Sequence, residues 1–281
     1  MAERPARRPR KPHSAQVVRT ERLTPHMQRV VLGGEELAGF TADTCTDHYV
    51  KLLFPPAEGV TYPEPFDMER IREQLPREQW PVTRTYTVRA FDPESLELTL
   101  DFVVHGDEGL AGPWAARVQP GETVRFMGPG GAYAPDLSAD WHLFAGDESA
   151  LPAIARSLES LPGGAVAHAF IEVSGPEEEQ KIDSDVEVVW LHRGDRPVGD
   201  LLAQTVRALE FPEGRMHAFV HGEAHFVKEL RQLLRVELQI PREDLSISGY
   251  WRLGHNEDGW QASKREWNAR IESEQEGAPA A

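Results

Sequence analysis

Cysteine is almost absent from this sequence, because Cys45 is the only one among 281 residues. A disulfide within the chain is therefore impossible. An iron–sulfur cluster held by four thiolates and a structural zinc site with several cysteines are excluded as well. Any redox chemistry must come from an organic cofactor or from iron that arrives as substrate, and we expect no metal site built by the chain itself.

Positive charge is scarce too, since 30 Lys and Arg stand against 46 Asp and Glu and the formal net charge is −16. This balance argues against a nucleic-acid partner, because phosphate backbones are bound by basic surfaces. An anionic substrate would have to meet a local basic pocket within an acidic body.

Long apolar runs are also missing, and none approaches the roughly 20 residues that a membrane-spanning helix needs. The N-terminus is rich in arginine and proline, and no apolar stretch follows it. It therefore predicts neither a secretory signal nor a twin-arginine leader. We expect a cytoplasmic protein with a basic flexible arm at residues 1–14, which is either a solvated tail or a docking segment for an acidic partner.

Residues 15–137 contain several short segments with strand-like alternation, separated by glycine and proline turns. Short strands at this spacing predict a closed antiparallel barrel. The segment 58–81 interrupts the pattern and is rich in proline and charge, so we expect an exposed, partly mobile insertion there. The predicted strands are 16–20, 27–32, 48–54, 84–89, 96–104 and 123–127.

From residue 138 to residue 249 strands alternate with helical patterns, which predicts a parallel sheet with helices on both faces. A barrel followed by such an α/β unit is the order of the ferredoxin–NADP reductase architecture, the fold class that we expect. Residues 250–281 form a predicted C-terminal helical segment. The predicted strands are 141–146, 168–173, 186–191 and 217–221, and the predicted helices are 150–158, 199–209 and 224–238.

The most informative segment is the predicted strand at residues 84–89. Its period-two alternation places Arg84 and Tyr86 on one face and Thr85 and Thr87 on the other. A guanidinium can hold a pyrophosphate bidentately, a tyrosine ring can cover a flat heterocycle, and a hydroxyl can reach a ring nitrogen. The segment therefore indicates a flavin site, although an ordinary barrel strand with surface arginines has the same pattern.

A glycine-containing segment follows, with Asp101–His105, then Gly106 and Gly109, then Gly112–Ala115. Glycines around a helix start let backbone amides approach a pyrophosphate. Alone, this is also the pattern of a hairpin loop before a short helix. Next to the strand at residues 84–89 it favours flavin binding.

The second half lacks the glycine-rich turn of pyridine-nucleotide domains, and no G-x-G-x-x-G stands in the chain. Its first strand ends instead in Gly146–Ser149, where Asp147 and Glu148 would repel a phosphate. Asp147 or Glu148 is either a helix cap or a ligand contact. Arg193 could still grip a nucleotide phosphate, but the pattern does not predict a nicotinamide site of the dehydrogenase kind.

Aromatic and basic residues gather near the C-terminus, in residues 248–254 and then at Trp260, Lys264, Arg265 and Trp267. Spacings of four and three place Trp260, Lys264 and Trp267 on one face of a helix. Such rings more often pack a terminal helix onto the body than recognise a ligand.

Together these segments resemble the siderophore-interacting protein family, whose members are flavin-containing ferric-siderophore reductases. The similarity runs from about Gln16 to at least Gly254, and the order of the segments makes it specific. The matching segments are 19–27, 48–55, 84–89, 146–153, 221–224 and 249–252.

The resemblance implies FAD bound at the barrel and an open, basic-lined cleft beside the isoalloxazine for the ferric chelate. Lys51 matches a family position credited with substrate contact, and Arg252, Lys264 and Arg265 are further candidates by charge and location. The segment Gly112–Ala115 is shorter than the family form, so the resemblance assigns its cofactor contacts only to within a residue or two. The expected cofactor contacts are Arg84, Thr85, Tyr86, Thr87, Asp101, Phe102, Val103, His105, Gly112, Pro113, Trp114, Ala115 and Asp147.

The expected function is flavin-dependent reduction of ferric siderophores, which releases ferrous iron in the cytoplasm. Siderophores hold ferric iron through hard anionic oxygens, and ferrous iron binds them far less well. The expected electron donor is NADH or NADPH, with a reduced ferredoxin as the alternative. Two other functions remain open: a general NAD(P)H–flavin or quinone reductase, and a non-catalytic siderophore carrier.

Overall fold

The structure is a computed structural model and describes residues 12–107 and 109–277. Most of the predicted basic arm, residues 1–11, lies outside the described residues, and the first strand already begins at His13. No helix in the described ranges is long and apolar enough to cross a membrane.

Six antiparallel strands form a closed barrel in the order β1-β2-β5-β4-β3-β6, as the alternating segments predict. Its core is a single cluster of inward apolar side chains that includes Leu32, Leu52, Leu100 and Phe126, all fully buried. The helix α2 (Ala111–Arg117) follows β5 in the chain and packs against β2 and β5 of the barrel. The strands are β1 (His13–Thr24), β2 (Met27–Gly33), β3 (Tyr49–Phe54), β4 (Val82–Asp92), β5 (Glu97–Val103) and β6 (Thr123–Gly130).

The segment 58–81 is more ordered than the sequence predicts. It contains the helix α1 (Met68–Gln74), whose Asp67 cap accepts bonds from the amides of Glu69 and Arg70. Ile71 on this helix is fully buried. The prediction of an exposed insertion holds for most of its side chains, but one apolar anchor fixes the helix, and proline and charge content alone did not reveal it.

The second half is a parallel sheet of five strands in the order β11-β10-β7-β8-β9. Its strands are β7 (Trp141–Asp147), β8 (Ala167–Val173), β9 (Val188–His192), β10 (Met216–Glu223) and β11 (Leu245–Trp251). The helices that accompany them are α3 (Leu151–Ser160), α4 (Asp200–Arg207) and α5 (Ala224–Arg231), which continues as a π-helical turn over Gln232–Glu237. The parallel direction of these strands agrees with the predicted α/β architecture.

The C-terminal part differs in detail from the prediction. Strand β11 runs through the expected boundary between residues 249 and 250, because it pairs in parallel with β10 from Leu245 onward. The last helix, α6 (Glu257–Glu276), begins only after the cap residue Asn256, whose side chain accepts a bond from the amide of Gly259. Trp260, in the first turn of α6, is buried, as its place on a helical face shared with Lys264 and Trp267 predicts.

The two halves meet through α3, which packs against β4 of the barrel. Arg89 on β4 forms a bidentate ion pair with Glu159 on α3, with N–O distances of 2.8 and 2.6 Å. The Ser157 hydroxyl donates to the Thr46 hydroxyl at 2.7 Å. These contacts set the second half against the end of β4 that carries the flavin-like segment.

Candidate functional site

The central strand of the site is β4, which pairs with β3. In this register Thr85 faces Lys51 and Tyr86 faces Val50. Cross-strand partners share a face of the sheet, so Arg84 and Tyr86 lie on the side of the fully buried Leu52 and Val50. Lys51, Thr85 and Thr87 lie on the opposite side, as the period-two pattern predicts.

Arg84 holds carboxylates. Its two terminal nitrogens donate to the two carboxylate oxygens of Asp258 at 2.9 Å each, and its Nε lies 3.5 Å from Glu257. The Arg84 side chain is only 12% exposed. A largely enclosed guanidinium that donates two parallel hydrogen bonds to the two oxygens of one anion forms a binding site that also suits a phosphate.

Tyr86 supplies a ring beside this anion site. Its centroid lies 4.1 Å from that of Phe102, and Phe102 lies 5.5 Å from Trp114. Burial raises the pKa of Tyr86, so the phenol stays neutral at any ordinary pH. Within the described ranges no hydrogen bond engages the hydroxyl of Tyr86 or of the buried Thr87.

Several of the predicted cofactor contacts lie on β5, on the loop after it and at the start of α2. Asp101 is buried and accepts two bonds from Arg29, at 2.7 and 2.8 Å, so its carboxylate is already paired. Gly112 lies in the first turn of α2, where a Cβ would come within 3.1 Å of the Val103 carbonyl oxygen. His105 is on the exposed loop before α2, with its ring 6.1 Å from that of His26. The short segment Gly112–Ala115 thus forms the helix start that the sequence predicts.

Two lysines come together on the outer side of this site. Lys51 extends from β3 and Lys264 from α6, and they are near enough that Lys51, after burial, helps lower the pKa of Lys264. Glu257 lies close to both Lys51 and Arg84, although burial raises the pKa of its carboxyl. The structure therefore brings two of the four predicted substrate contacts into one basic cluster.

The other two predicted substrate contacts lie in different surroundings. The guanidinium carbon of Arg252 lies 4.0 Å from the ring centroid of Trp267, and its buried Nε finds no hydrogen-bond partner among the described residues. Trp267 is one turn along α6 from Lys264, so Arg252 lies near the basic cluster. Arg265 is exposed and, one residue after Lys264, is turned about 100° around the helix axis.

The carboxyl end of the parallel sheet is occupied by a network around Asp147. This buried carboxylate accepts bonds from the Ser149 amide and hydroxyl, from the Glu223 amide at 2.8 Å and from Trp251 Nε1 at 2.8 Å. Burial, aided by Glu148, raises the pKa of Asp147 to about 6. These four bonds tie the turn after β7 to β10 and β11. The prediction of a helix cap at Asp147 or Glu148 is wrong, because the N-cap residue of α3 is Ala150 and no side chain caps it.

Glu148 is neutralised by Arg193, which donates to it at 2.7 and 3.3 Å. Arg193 also lies 3.5 Å from the buried Glu172. The repulsion that the acidic turn would exert on a phosphate is thereby reduced. Arg193, the arginine that the sequence suggests for a nucleotide phosphate, is itself already paired with two carboxylates.

The pairing of Arg84 with Glu257 and Asp258 is what sequence reasoning missed. Asn256 followed by two acids does signal a helix start, but nothing in the sequence indicates that these acids reach a strand 174 residues earlier. The bond from Trp251 to Asp147 was missed for the same reason. In the described ranges no group of three or more His, Cys, Asp or Glu side chains could hold a metal ion.

These residues fit a flavin dinucleotide. Arg84 holds two carboxylates in a geometry that also suits a diphosphate. Tyr86 offers a neutral ring, and the hydroxyls of Tyr86 and Thr87 keep their bonding capacity. Lys51, near Lys264, lies on the opposite face of the β3–β4 pair, and two cations there suit an anionic second ligand.

The chain matches two family descriptions in succession: residues 16–133 match the siderophore-interacting FAD-binding domain, and residues 139–254 match the siderophore-interacting protein. An uncharacterized protein of Mycobacterium tuberculosis is 44% identical over 90% of this chain and 95% of its own length. A ferric vibriobactin reductase of Vibrio cholerae is 35% identical, over 90% of this chain and 94% of its own. An NADPH-dependent ferric-chelate reductase of Escherichia coli is 32% identical, over 84% and 91%.

Solved structures agree with these similarities. A siderophore utilization protein from T. fusca superposes with a TM-score of 0.78 at 38% identity, covering 89% of this chain and 96% of its own. A ferredoxin–NADP+ reductase from Plasmodium falciparum, at 10% identity, covers 85% of this chain and 96% of its own with a TM-score of 0.61. The second comparison bears on the fold alone, and it agrees with the predicted architecture.

Proposed function

Because the chain belongs to the siderophore-interacting protein family, we propose that it is an FAD-dependent ferric-siderophore reductase that releases iron in the cytoplasm. The observation that supports this most directly is the fork of Arg84 on two oxygens beside the Tyr86 ring. Relatives named as ferric reductases, together with the matched FAD-binding domain, support an oxidoreductase.

In this proposal the barrel half positions the cofactor. Arg84 binds the pyrophosphate through its two terminal nitrogens, Tyr86 covers the ring system, and Thr87 offers its hydroxyl to a ring nitrogen. The start of α2 adds backbone amides near Gly112. When bound, FAD takes two electrons from a nicotinamide and passes them on singly.

The basic cluster positions the ferric chelate. Lys51 and Lys264 offset the negative charge of a siderophore. Without these cations, the carboxylates of the protein would repel an anionic chelate. The chain has no need to supply iron ligands, because each ferric ion that gains one electron becomes ferrous and is held far more weakly by hard anionic oxygens. Two ferric chelates are reduced for each pair of electrons that enters.

The electron donor in this proposal is NADH or NADPH. The ferredoxin–NADP reductase-like fold and the relative named as NADPH-dependent support a nicotinamide. The network at Asp147 occupies the carboxyl end of β7, so the donor has to approach past Trp251 and the pair Glu148–Arg193. The similarities give no support to a ferredoxin as donor.

The test is a reconstitution experiment. Purified protein is supplied with FAD, freed of excess cofactor and scanned for the absorbance bands of oxidised flavin. NADH, NADPH or reduced ferredoxin is then added without oxygen, and a ferric siderophore follows with a chelator that colours with ferrous iron. We expect a retained flavin, bleaching by a nicotinamide and formation of ferrous iron.

Variants locate the site in the same assay. Arg84→Ala should weaken FAD binding at least tenfold, because it removes a bidentate charge-assisted contact. Arg22→Ala is the matched control, since Arg22 is exposed on β1. A protein that stays colourless but quenches its tryptophan fluorescence with ferric chelate would be a carrier. One that reduces quinones as fast as ferric chelates would be a general reductase.

A further inference from the structure

The last helix, α6, is held mainly by charge. It has 20 residues, but only Trp260 and Ile271 are buried. Its N-terminal acids, Glu257 and Asp258, lie on Arg84. Most stabilisation of a helix in a protein comes from its packed apolar face, so a helix with two buried residues depends strongly on its ion pairs.

The far end of α6 is attached in the same way. Lys228 on α5 donates to Glu274 at 2.8 Å, and Arg231 pairs with Glu276. Gln275 donates to the Lys228 carbonyl at 2.9 Å and accepts from Arg231 at 2.6 Å. The helix thus lies as a strap from the barrel strand β4 to α5.

The barrel end of this strap contacts the atoms that the proposed function assigns to the cofactor. Asp258 takes both terminal nitrogens of Arg84, and Glu257 accepts the Thr85 amide at 3.1 Å. A guanidinium has two such edges, one formed by its two terminal nitrogens and one formed by Nε with a terminal nitrogen. Asp258 occupies the first edge of Arg84, and Glu257 lies 3.5 Å from Nε on the second. A diphosphate and the Asp258 carboxylate cannot both occupy the first edge in this bidentate geometry.

We propose that Glu257 and Asp258 are an internal substitute for the pyrophosphate, so that α6 latches onto Arg84 in the flavin-free protein and releases it when FAD binds. This rests on the proposed function, because it takes Arg84 as the pyrophosphate contact. In the absence of the cofactor, the latch keeps the largely enclosed guanidinium of Arg84 paired with a carboxylate. It also lowers the apparent affinity for FAD, because only the fraction of molecules in which Arg84 is free can bind the cofactor.

The first test measures FAD affinity of the apoprotein by flavin fluorescence for the wild type, Asp258→Asn and Glu257→Gln. Loss of a charge-assisted bidentate bond frees Arg84, so Asp258→Asn should bind FAD about five- to tenfold more tightly. Glu257→Gln should show a smaller gain in the same direction. Glu266→Gln is the matched control, because Glu266 is an exposed acid of the same helix, and it should bind FAD as the wild type does.

The second test follows α6 by hydrogen–deuterium exchange of residues 257–264. FAD should increase exchange in this segment of the wild type. Unchanged or weaker FAD binding by Asp258→Asn overturns the latch and makes Asp258 a support for Arg84, and so does greater protection of α6 with FAD.

Failure of the proposed function is separable from failure of the latch. If the wild type binds no FAD, the proposed function falls. Inorganic pyrophosphate then decides the latch alone, because it presents the same oxygens to Arg84. Increased exchange in residues 257–264 on its addition supports the latch, and unchanged exchange overturns it.

Discussion

His221 is an ionisable ring enclosed by aromatic and hydroxyl neighbours. It stacks on Phe219 at 3.9 Å between centroids, lies 4.7 Å from Tyr250 and shares a hydrogen bond of 2.9 Å with the Ser246 hydroxyl. Burial, with the charge of nearby Lys264, lowers the pKa of His221 to about 3. The folded protein therefore keeps this ring neutral at pH values where the unfolded chain protonates it.

This predicts a pH dependence of stability. Between pH 6.5 and 3 the unfolded state binds a proton at His221 that the folded state does not, so the free energy of unfolding falls as the pH falls. Between pH 7 and pH 5 the loss from this one site is about 2 kcal/mol. His221→Phe, which keeps a ring, should reduce the loss by this amount in urea titrations at the two pH values.

The control for this prediction is His255→Phe, because His255 is exposed. Its unfolding free energy should change between pH 7 and pH 5 as much as that of the wild type. An equal pH dependence in His221→Phe and the wild type would show that the ring of His221 is protonated in the folded protein.

The basic cluster gives a second prediction at this scale. Lys51→Ala should raise the apparent KM for an anionic ferric siderophore about three- to tenfold, with little change in FAD affinity, since one exposed charge is lost from the substrate face only. The measurement is steady-state ferrous iron formation together with flavin titration. Arg77→Ala removes an exposed cation in the segment before β4 and should leave both constants unchanged, whereas a matched rise in KM for both variants would refute a local role.

Sequence reasoning reached the type of these residues but not their contacts. The alternation of residues 84–89 was enough to place Arg84 and Tyr86 on one face, because the period of a strand is fixed by its backbone. The meeting of Lys51 with Lys264, and of Arg84 with Asp258, depends on where α6 lies. That position follows from packing between distant segments, which no local pattern contains.

The insertion before β4 shows the same limit for a whole element. Its helix α1 is short, and its apolar content is low, so the sequence favours an exposed segment. The fully buried Ile71 gives it an attachment that local composition conceals. Strand β11 was missed likewise. The alternation of apolar and polar residues in Leu245–Ser248 is only four residues long and stops at Gly249, and the full strand is defined by its pairing with β10.

Ile71→Ala tests whether α1 is part of the folded core. Truncating a buried isoleucine should lower the free energy of unfolding by about 2–4 kcal/mol, because it loses apolar burial and leaves a cavity. The control Glu73→Ala changes an exposed position of the same helix and should stay within about 0.5 kcal/mol of the wild type. A similarly small effect of Ile71→Ala would restore the prediction of a loosely attached insertion.

At the scale of the molecule, charged groups join the barrel to the parallel sheet. The buried Glu178 accepts the Thr24 hydroxyl and the amide of His26, and pairs with the His26 ring at 2.7 Å. On the other side of the interface Arg89 pairs with Glu159, and Arg156 donates to the Val88 carbonyl at 3.2 Å. These bonds surround an apolar cluster that spans both halves, in which Met27 of the barrel is buried with Phe144 and Leu151 of the second half.

The double variant Glu159→Gln with Glu178→Gln should weaken this interface. We expect calorimetry to show a lower unfolding midpoint for the variant than for the wild type, because only the shared apolar cluster then couples the two halves. The control Glu177→Gln changes an exposed neighbour of Glu178 and should keep the wild-type midpoint. A single transition in the double variant, with an unchanged midpoint, would mean that apolar contacts alone couple the halves.

The parallel sheet ends at two strands, β9 and β11, and β9 is the more exposed of the two. Closure of the barrel leaves its strands paired on both sides, but β9 ends the second sheet and has no partner on its outer side within the described ranges. This strand is five residues long, and Val189 on it is 42% exposed. An unpaired strand is a template for joining another copy, and the net charge of −16 keeps copies apart. Acidification that neutralises the surface should therefore cause self-association, and it should begin along β9.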